Sequence, residues 1–442
     1  MIVALVLYGA AVLAVGLFSA RASSRGRDAF LVGDRSFGAG ATWAALSSTT
    51  IGGSTTLVLA ALVARAGLPA LWLDLAGALG LAALGLFLAR RVRATGAVTI
   101  SEVIGRFYGP AVRRIAALLV VLAEIVWFAL LAEATTAILV AATPWPPERV
   151  LVLTTLAFVA YTLLGGQRAV VRTDVLQFAL MAAGLLAVAT PLAVRSLAAT
   201  GAPRELLSFP FGPRLGPLDA AALLVLAGLP HAVGSDVWGK LLSARDETAA
   251  RRAALGAAGS KLLFGLSTVT IALAGLGLGL PGGAGLFPET VVALAGVSLA
   301  PFLLVTMVAT MQSSSDSVLL SAAAATVHDL LPPRFATPSW ARLFVALYGA
   351  FGLVVALALR DLIETFRLGY TLFASGLILP TLAAFVPGLR VSRGAAATAM
   401  VAGAAAAMGE RALGVVGIDP VLVGTGVNAA VLLAGLRRRS GA

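Results

Sequence analysis

Runs of about twenty apolar residues follow one another along nearly the whole chain, and a bilayer is the solvent in which such runs each make a stable element. Crossing about 30 Å of hydrocarbon takes roughly 20 apolar residues in a helix. Thirteen candidates fall at about 2–20, 37–63, 67–89, 115–142, 148–166, 173–194, 217–238, 253–280, 289–324, 339–359, 363–387, 395–413 and 417–436. Only 12% of the residues are charged, against roughly 25% in soluble domains, so a globular cytosolic fold is excluded. The first run has no basic residues before it, while Arg21, Arg25 and Arg27 follow it. It reads as a retained helix, not a signal peptide. With no cysteines, disulfides and thiol chemistry are absent.

Thirteen crossings place the two termini on opposite sides. One side then collects 23 of the 32 basic residues and the other 8, with Lys261 inside a helix. The positive-inside rule puts the N-terminus outside and the C-terminus in the cytoplasm of a bacterial-type inner membrane. The net charge of +12 is thus a topology signal spread between helices. The expected partner is the lipid bilayer; neither nucleic acid nor an obligatory protein partner is expected.

Polar groups inside the apolar runs are functional candidates because each is costly in hydrocarbon. Asp74, Glu124, Glu133, Asp236, Lys261 and Asp316 stand there, with Asp174 at a helix end. Two runs also carry helix-breaking residues: "SSTTIGGSTT" (47–56) and "LAGLPHAVGSD" (226–236), the latter through Gly228 and Pro230. Unwound backbone at membrane depth survives only where protein buries it or a cavity meets it. Five helices counted from each break give two blocks of equal size and opposite orientation, the pattern of a secondary transporter with inverted repeats. No HExxH or CxxC motif occurs and there are two histidines, so the chain is not expected to be an enzyme.

Four stretches resemble the sodium:solute symporter family, which includes sodium/sugar, sodium/proline and sodium/sialic acid symporters. "YTLLGGQRAVVRTDVLQ" (161–177) is similar to its Y-x-x-x-G-G-x-x-A-V-x-x-T-D-x-x-Q element, and "QSSSDSVLLS" (312–321) to its S-T-A-D-S-x-L-L motif. "SDVWGKLLSARDETAARRAA" (235–254) and "TISEVIGRFYG" (99–109) resemble two loop elements, with Ser101 where the family has proline. The likeness spans about 30 to 390. It implies an all-α integral membrane protein of about 13 transmembrane helices with a LeuT-like 5+5 inverted-repeat core. Residues 1–36 then form a peripheral helix and first loop, 37–195 and 196–388 the two repeats, and 389–442 two further peripheral helices.

The resemblance further implies sodium-coupled symport of a small organic solute into the cytoplasm, with sodium as the only metal and no cofactor. It aligns the hydroxyls of Ser313 and Ser314 and the carbonyls of Thr310, Thr50 and Gly53 with sodium ligands, and Asp174 with an aspartate on the ion pathway. Such oxygen dipoles replace the hydration of a hard cation. The sodium/proline branch has an aspartate where this chain reads Ile51, Gly52, Gly53, which favours one sodium per cycle. Asp74 and Lys261 align with residues of the solute site, where they either face the cavity or pair with each other. Glu133, Trp238 and Tyr370 are further cavity candidates. Glu124 and Glu133 are nine residues apart, on opposite faces of one helix. A proton-coupled transporter of the same fold and a solute sensor acting through a separate partner stay open as alternatives.

Overall fold

The structure is a computed structural model that describes residues 2–23, 26–141 and 143–436. Helices dominate. They are α1 (Ile2–Ser23), α2 (Ala39–Thr50), α3 (Ser54–Ala66), α4 (Leu68–Ala94), α5 (Ile100–Tyr108), α6 (Pro110–Val140), α7 (Pro147–Thr200) and α8 (Pro217–Leu242). There follow α9 (Glu247–Gly277), α10 (Leu286–Leu330), α11 (Pro338–Leu359), α12 (Leu362–Phe385), α13 (Arg393–Leu413) and α14 (Pro420–Ala434). Among the described residues, eight of these are long and apolar enough to cross a membrane, or nine when α2 and α3 count as one span bent by 52°. The chain is a multi-pass membrane protein. Helix forms in each of the thirteen apolar stretches, while the number that cross stands at eight or nine by length and composition.

The core is the contact of α10 with α6 and α7, against which α2 packs, while α9 closes on α2 and α4. α13 and α14 pair with each other and lean on α12.

The break between α2 and α3 falls where the sequence places it, at Ile51–Gly53. The break in α8 does not. It sits at Gly234, whose backbone is extended (φ −59°, ψ 140°), and not at Gly228 or Pro230. Pro230 is absorbed at the start of a helical turn, where a missing N–H costs nothing, just after a widened turn over Leu224–Gly228.

Motif residues act as packing devices here. In α7 the second glycine of the "GG" pair, Gly166, adopts φ 55°, and a Cβ there would lie 2.8 Å from the Phe30 carbonyl oxygen. Glycine alone meets both demands. Gln177 Nε2 donates to Tyr8 Oη at 2.9 Å, and Tyr8 donates to Gln312 Oε1 at 2.7 Å, which ties α7, α1 and α10 together.

In the "TISE" stretch, Thr99 caps α5 by accepting from the Glu102 N–H at 3.0 Å, and Glu102 reaches back to the Val98 N–H at 2.9 Å. Burial pushes the Glu102 carboxyl up, but His328, the Val98 N–H and Arg106 together hold it well below the usual carboxylate range. Thr99 and Arg113 both bind Asp329, so this capped turn clasps the end of α10.

Candidate ion and solute site

A helix that stops inside the bundle leaves its last four carbonyls without helical partners and carries partial negative charge at that end. α2 stops at Thr50 in such a place, with Ser47 to Thr50 all buried. α10 runs past it. Ser313 Oγ donates to the Ser48 carbonyl at 2.8 Å and lies 3.2 Å from the Thr310 carbonyl one turn below; Ser314 Oγ donates to the Thr49 carbonyl at 2.8 Å. Two hydroxyls, the Thr310 carbonyl and two free carbonyls of a half-helix therefore converge between α2 and α10.

Three of the five expected ion-site residues, Ser313, Ser314 and Thr310, come together. Thr50 and Gly53 are engaged elsewhere. The Thr50 carbonyl accepts from Lys261 Nζ at 2.7 Å, and the Gly53 carbonyl accepts from the Val58 N–H at 3.0 Å. The α2 carbonyls that meet the serines lie one and two places earlier than Thr50. Ser315 and Ser317 bond back to the carbonyls of Met311 and Ser313, and Ser317 also meets Thr49 Oγ1. The α2 surface must come very close for this. A Cβ on Gly52 would sit 2.4 Å from Ser314 Oγ.

Both breaks border one small cavity of about 40 Å³. Its walls include Thr49, Thr50, Gly52, Gly53, Ser54, Pro230, His231 and Asp236 from around the breaks, Trp127 from α6, Ser314 from α10 and Tyr370 from α12. That volume holds a few waters, so a solute enters only if the walls move apart. Of the expected cavity residues Tyr370 is a lining residue, tilted against Trp127 at 4.8 Å between ring centroids. Trp238 is fully buried and donates to the Ala232 carbonyl at 2.9 Å, holding the α8 break. Glu133 accepts from Thr365 and lines a separate cavity of about 400 Å³ with Glu148 and Arg360. Asp74 and Lys261 pair with each other at 3.0 Å and are not among the lining residues.

Asp174 accepts from Lys240 Nζ at 2.5 Å, both fully buried, with Asp316 close by. Lys240 counts as a loop charge in the sequence, yet it lines a second cavity of about 20 Å³ that shares Asp236 with the first. Glu124 accepts from Ser235 at the α8 break. Trp127 and the carbonyls of Ser48 and Thr49 had no sequence signal beyond residue type, because helix rotation decides which of them faces the site.

The comparisons with known proteins bear on this geometry. The model of the sodium:solute symporter family matches residues 30–205, which hold the broken α2–α3 pair and the "GG" motif. The likeness to the sodium:solute symporters holds. The fold is that of a Na+-coupled sialic acid symporter solved in a substrate-bound outward-open state, with TM-score 0.80 and 18% identity over 99% of this chain and 98% of that one. A nucleobase-cation-symport-1 family transporter in a closed conformation is similar at TM-score 0.59 and 17% identity, over 92% and 93% of the two chains. No curated protein matches by sequence. The proteins that this chain resembles in fold are transporters.

Proposed function

We propose that the protein uses an inward sodium gradient to carry a small organic solute into the cytoplasm of a bacterial-type cell by alternating access. The observation that carries this reading is the convergence of Ser313, Ser314 and the Thr310 carbonyl on the free carbonyls of α2, beside a small cavity bordered by both helix breaks. Sodium sits between α2 and α10, held by the two serine hydroxyls, the Thr310 carbonyl and the carbonyls of Ser48 and Thr49. The contacts favour these two over Thr50 and Gly53. An ion there adds strong bonds between two elements otherwise joined by packing and by hydroxyl hydrogen bonds, so it stabilises one arrangement of the repeats over another. Residues 37–195 and 196–388 are the two repeats that move against each other. Asp174, held by Lys240, stands on the ion's path to the cytoplasm.

Uptake into proteoliposomes tests the reading. With a panel of radiolabelled amino acids, sugars and small carboxylates, at least one solute accumulates when sodium is high outside and does not when choline replaces it. Accumulation that ignores sodium and follows a pH gradient contradicts the reading and favours proton coupling.

A further inference from the structure

Lys261 is a buried ammonium group seated in a cage of oxygens contributed by three other helices. Its Nζ donates to the Thr50 carbonyl at 2.7 Å, to Thr55 Oγ1 at 2.5 Å and to Asp74 Oδ1 at 3.0 Å. Lys261 is 1% exposed and Asp74 is 0% exposed. Thr55 lies 3.3 Å from both the Thr50 carbonyl and Asp74 Oδ1, so the three oxygens form one cluster.

The cage is built around this group by two glycines. A Cβ on Gly77 of α4 would lie 2.8 Å from Lys261 Cε, and one on Gly265 of α9 would lie 2.7 Å from Asp74 Oδ2. That same Oδ2 is buried and has no hydrogen-bond partner. One carboxylate, one carbonyl and one hydroxyl at the negative end of a half-helix make a donor set suited to a hard cation. The chain supplies the cation itself.

We infer that Lys261 is a built-in cation that fills a position a second sodium ion would otherwise take, and so limits coupling to one sodium per cycle. The inference rests on the sodium-symport reading and goes beyond it, since the site at Ser313 and Ser314 says nothing of stoichiometry. It assigns Asp74 and Lys261 to ion accounting and not to the solute. Lys261 is a positioning residue: it holds Thr50, Thr55 and Asp74 where sodium would hold them. With the ammonium gone, the cage keeps the Asp74 charge and gains room for an ion.

Equilibrium binding of radioactive sodium to purified protein in lipid nanodiscs tests this. Wild type is expected to bind one sodium per chain, and two in wild type overturns the inference directly. Lys261→Ala is expected to bind two, a doubling that Asp74→Asn in the same chain abolishes. Lys261→Ser is expected to behave as Lys261→Ala, and serves should the alanine variant not fold. The second sodium should persist when Ser314→Ala is added, because it does not use the α10 hydroxyls. One sodium in folded Lys261→Ala and Lys261→Ser overturns the inference while leaving sodium symport intact. No sodium bound by wild type contradicts the symport reading itself, and in that case one sodium gained by Lys261→Ala still supports the inference about the cage.

Discussion

Lys240→Met is expected to destabilise the protein by about 3–5 kcal/mol, the usual cost of leaving one partner of a buried pair without its counter-charge. Asp174 is 0% exposed, and its Oδ2 depends on Lys240 Nζ at 2.5 Å. Asp316 on α10 lies close enough to feel both Asp174 and Lys240, so removing the ammonium leaves two neighbouring buried acidic groups without their cation. Methionine preserves most of the stem's packing, which isolates the lost charge from a lost side chain. Thermal unfolding in detergent, followed by tryptophan fluorescence, should show the loss. Adding Asp174→Asn to Lys240→Met should recover most of it, since the pair, once gone, leaves fewer unpaired charges. A double variant as unstable as the sum of the two singles would mean that the groups act independently.

Gly52→Ala is expected to lower sodium affinity about tenfold and to cost about 1–3 kcal/mol of stability. Its Cβ would come within 2.4 Å of Ser314 Oγ and 3.1 Å of Ser314 Cβ, with Leu131 at 3.4 Å. The backbone can accept alanine there, because Gly52 is not among the residues with positive φ. The added methyl must therefore push the serine hydroxyl away from the α2 carbonyls. Overpacking of one methyl group costs about 1–3 kcal/mol, and a tenfold change in binding corresponds to about 1.4 kcal/mol. Sodium-dependent thermal stabilisation, titrated at constant ionic strength with choline, reads the affinity. Unchanged sodium dependence in a folded Gly52→Ala protein would place the ion away from this contact.

Much of this architecture is legible in the residues because hydrocarbon makes every polar group conspicuous. The Gly-Gly pair at 52–53 within a Ser/Thr run marks the first break, and the serines of the "QSSSDS" motif mark the face that meets it. What the sequence could not carry is register and rotation. Pro230 reads as a break, but at the start of a turn it forfeits no helical bond, and the chain opens four residues later at Gly234. Alignment pairs the serines with the Thr50 and Gly53 carbonyls, whereas the serine hydroxyls donate to the carbonyls of Ser48 and Thr49 and Lys261 donates to that of Thr50.

Lys240 shows a different limit. Counting basic residues treats every lysine near a helix end as a loop charge. Its partner Asp174 is 66 positions away, and only the fold brings the two together. Glu133 and Trp238 read in the sequence as cavity candidates, yet one lines a separate cavity and the other braces the α8 break.

If sodium binds between the α2 carbonyls and the α10 hydroxyls, the two serine hydroxyls are needed to hold it. Sodium binding to a Ser313→Ala/Ser314→Ala double variant, beside wild type and at equal ionic strength, measures this. One saturable sodium per wild-type chain is expected, and none at the same concentrations in the variant, with the variant still folded by circular dichroism. Equal sodium binding by the two proteins would place the ion elsewhere.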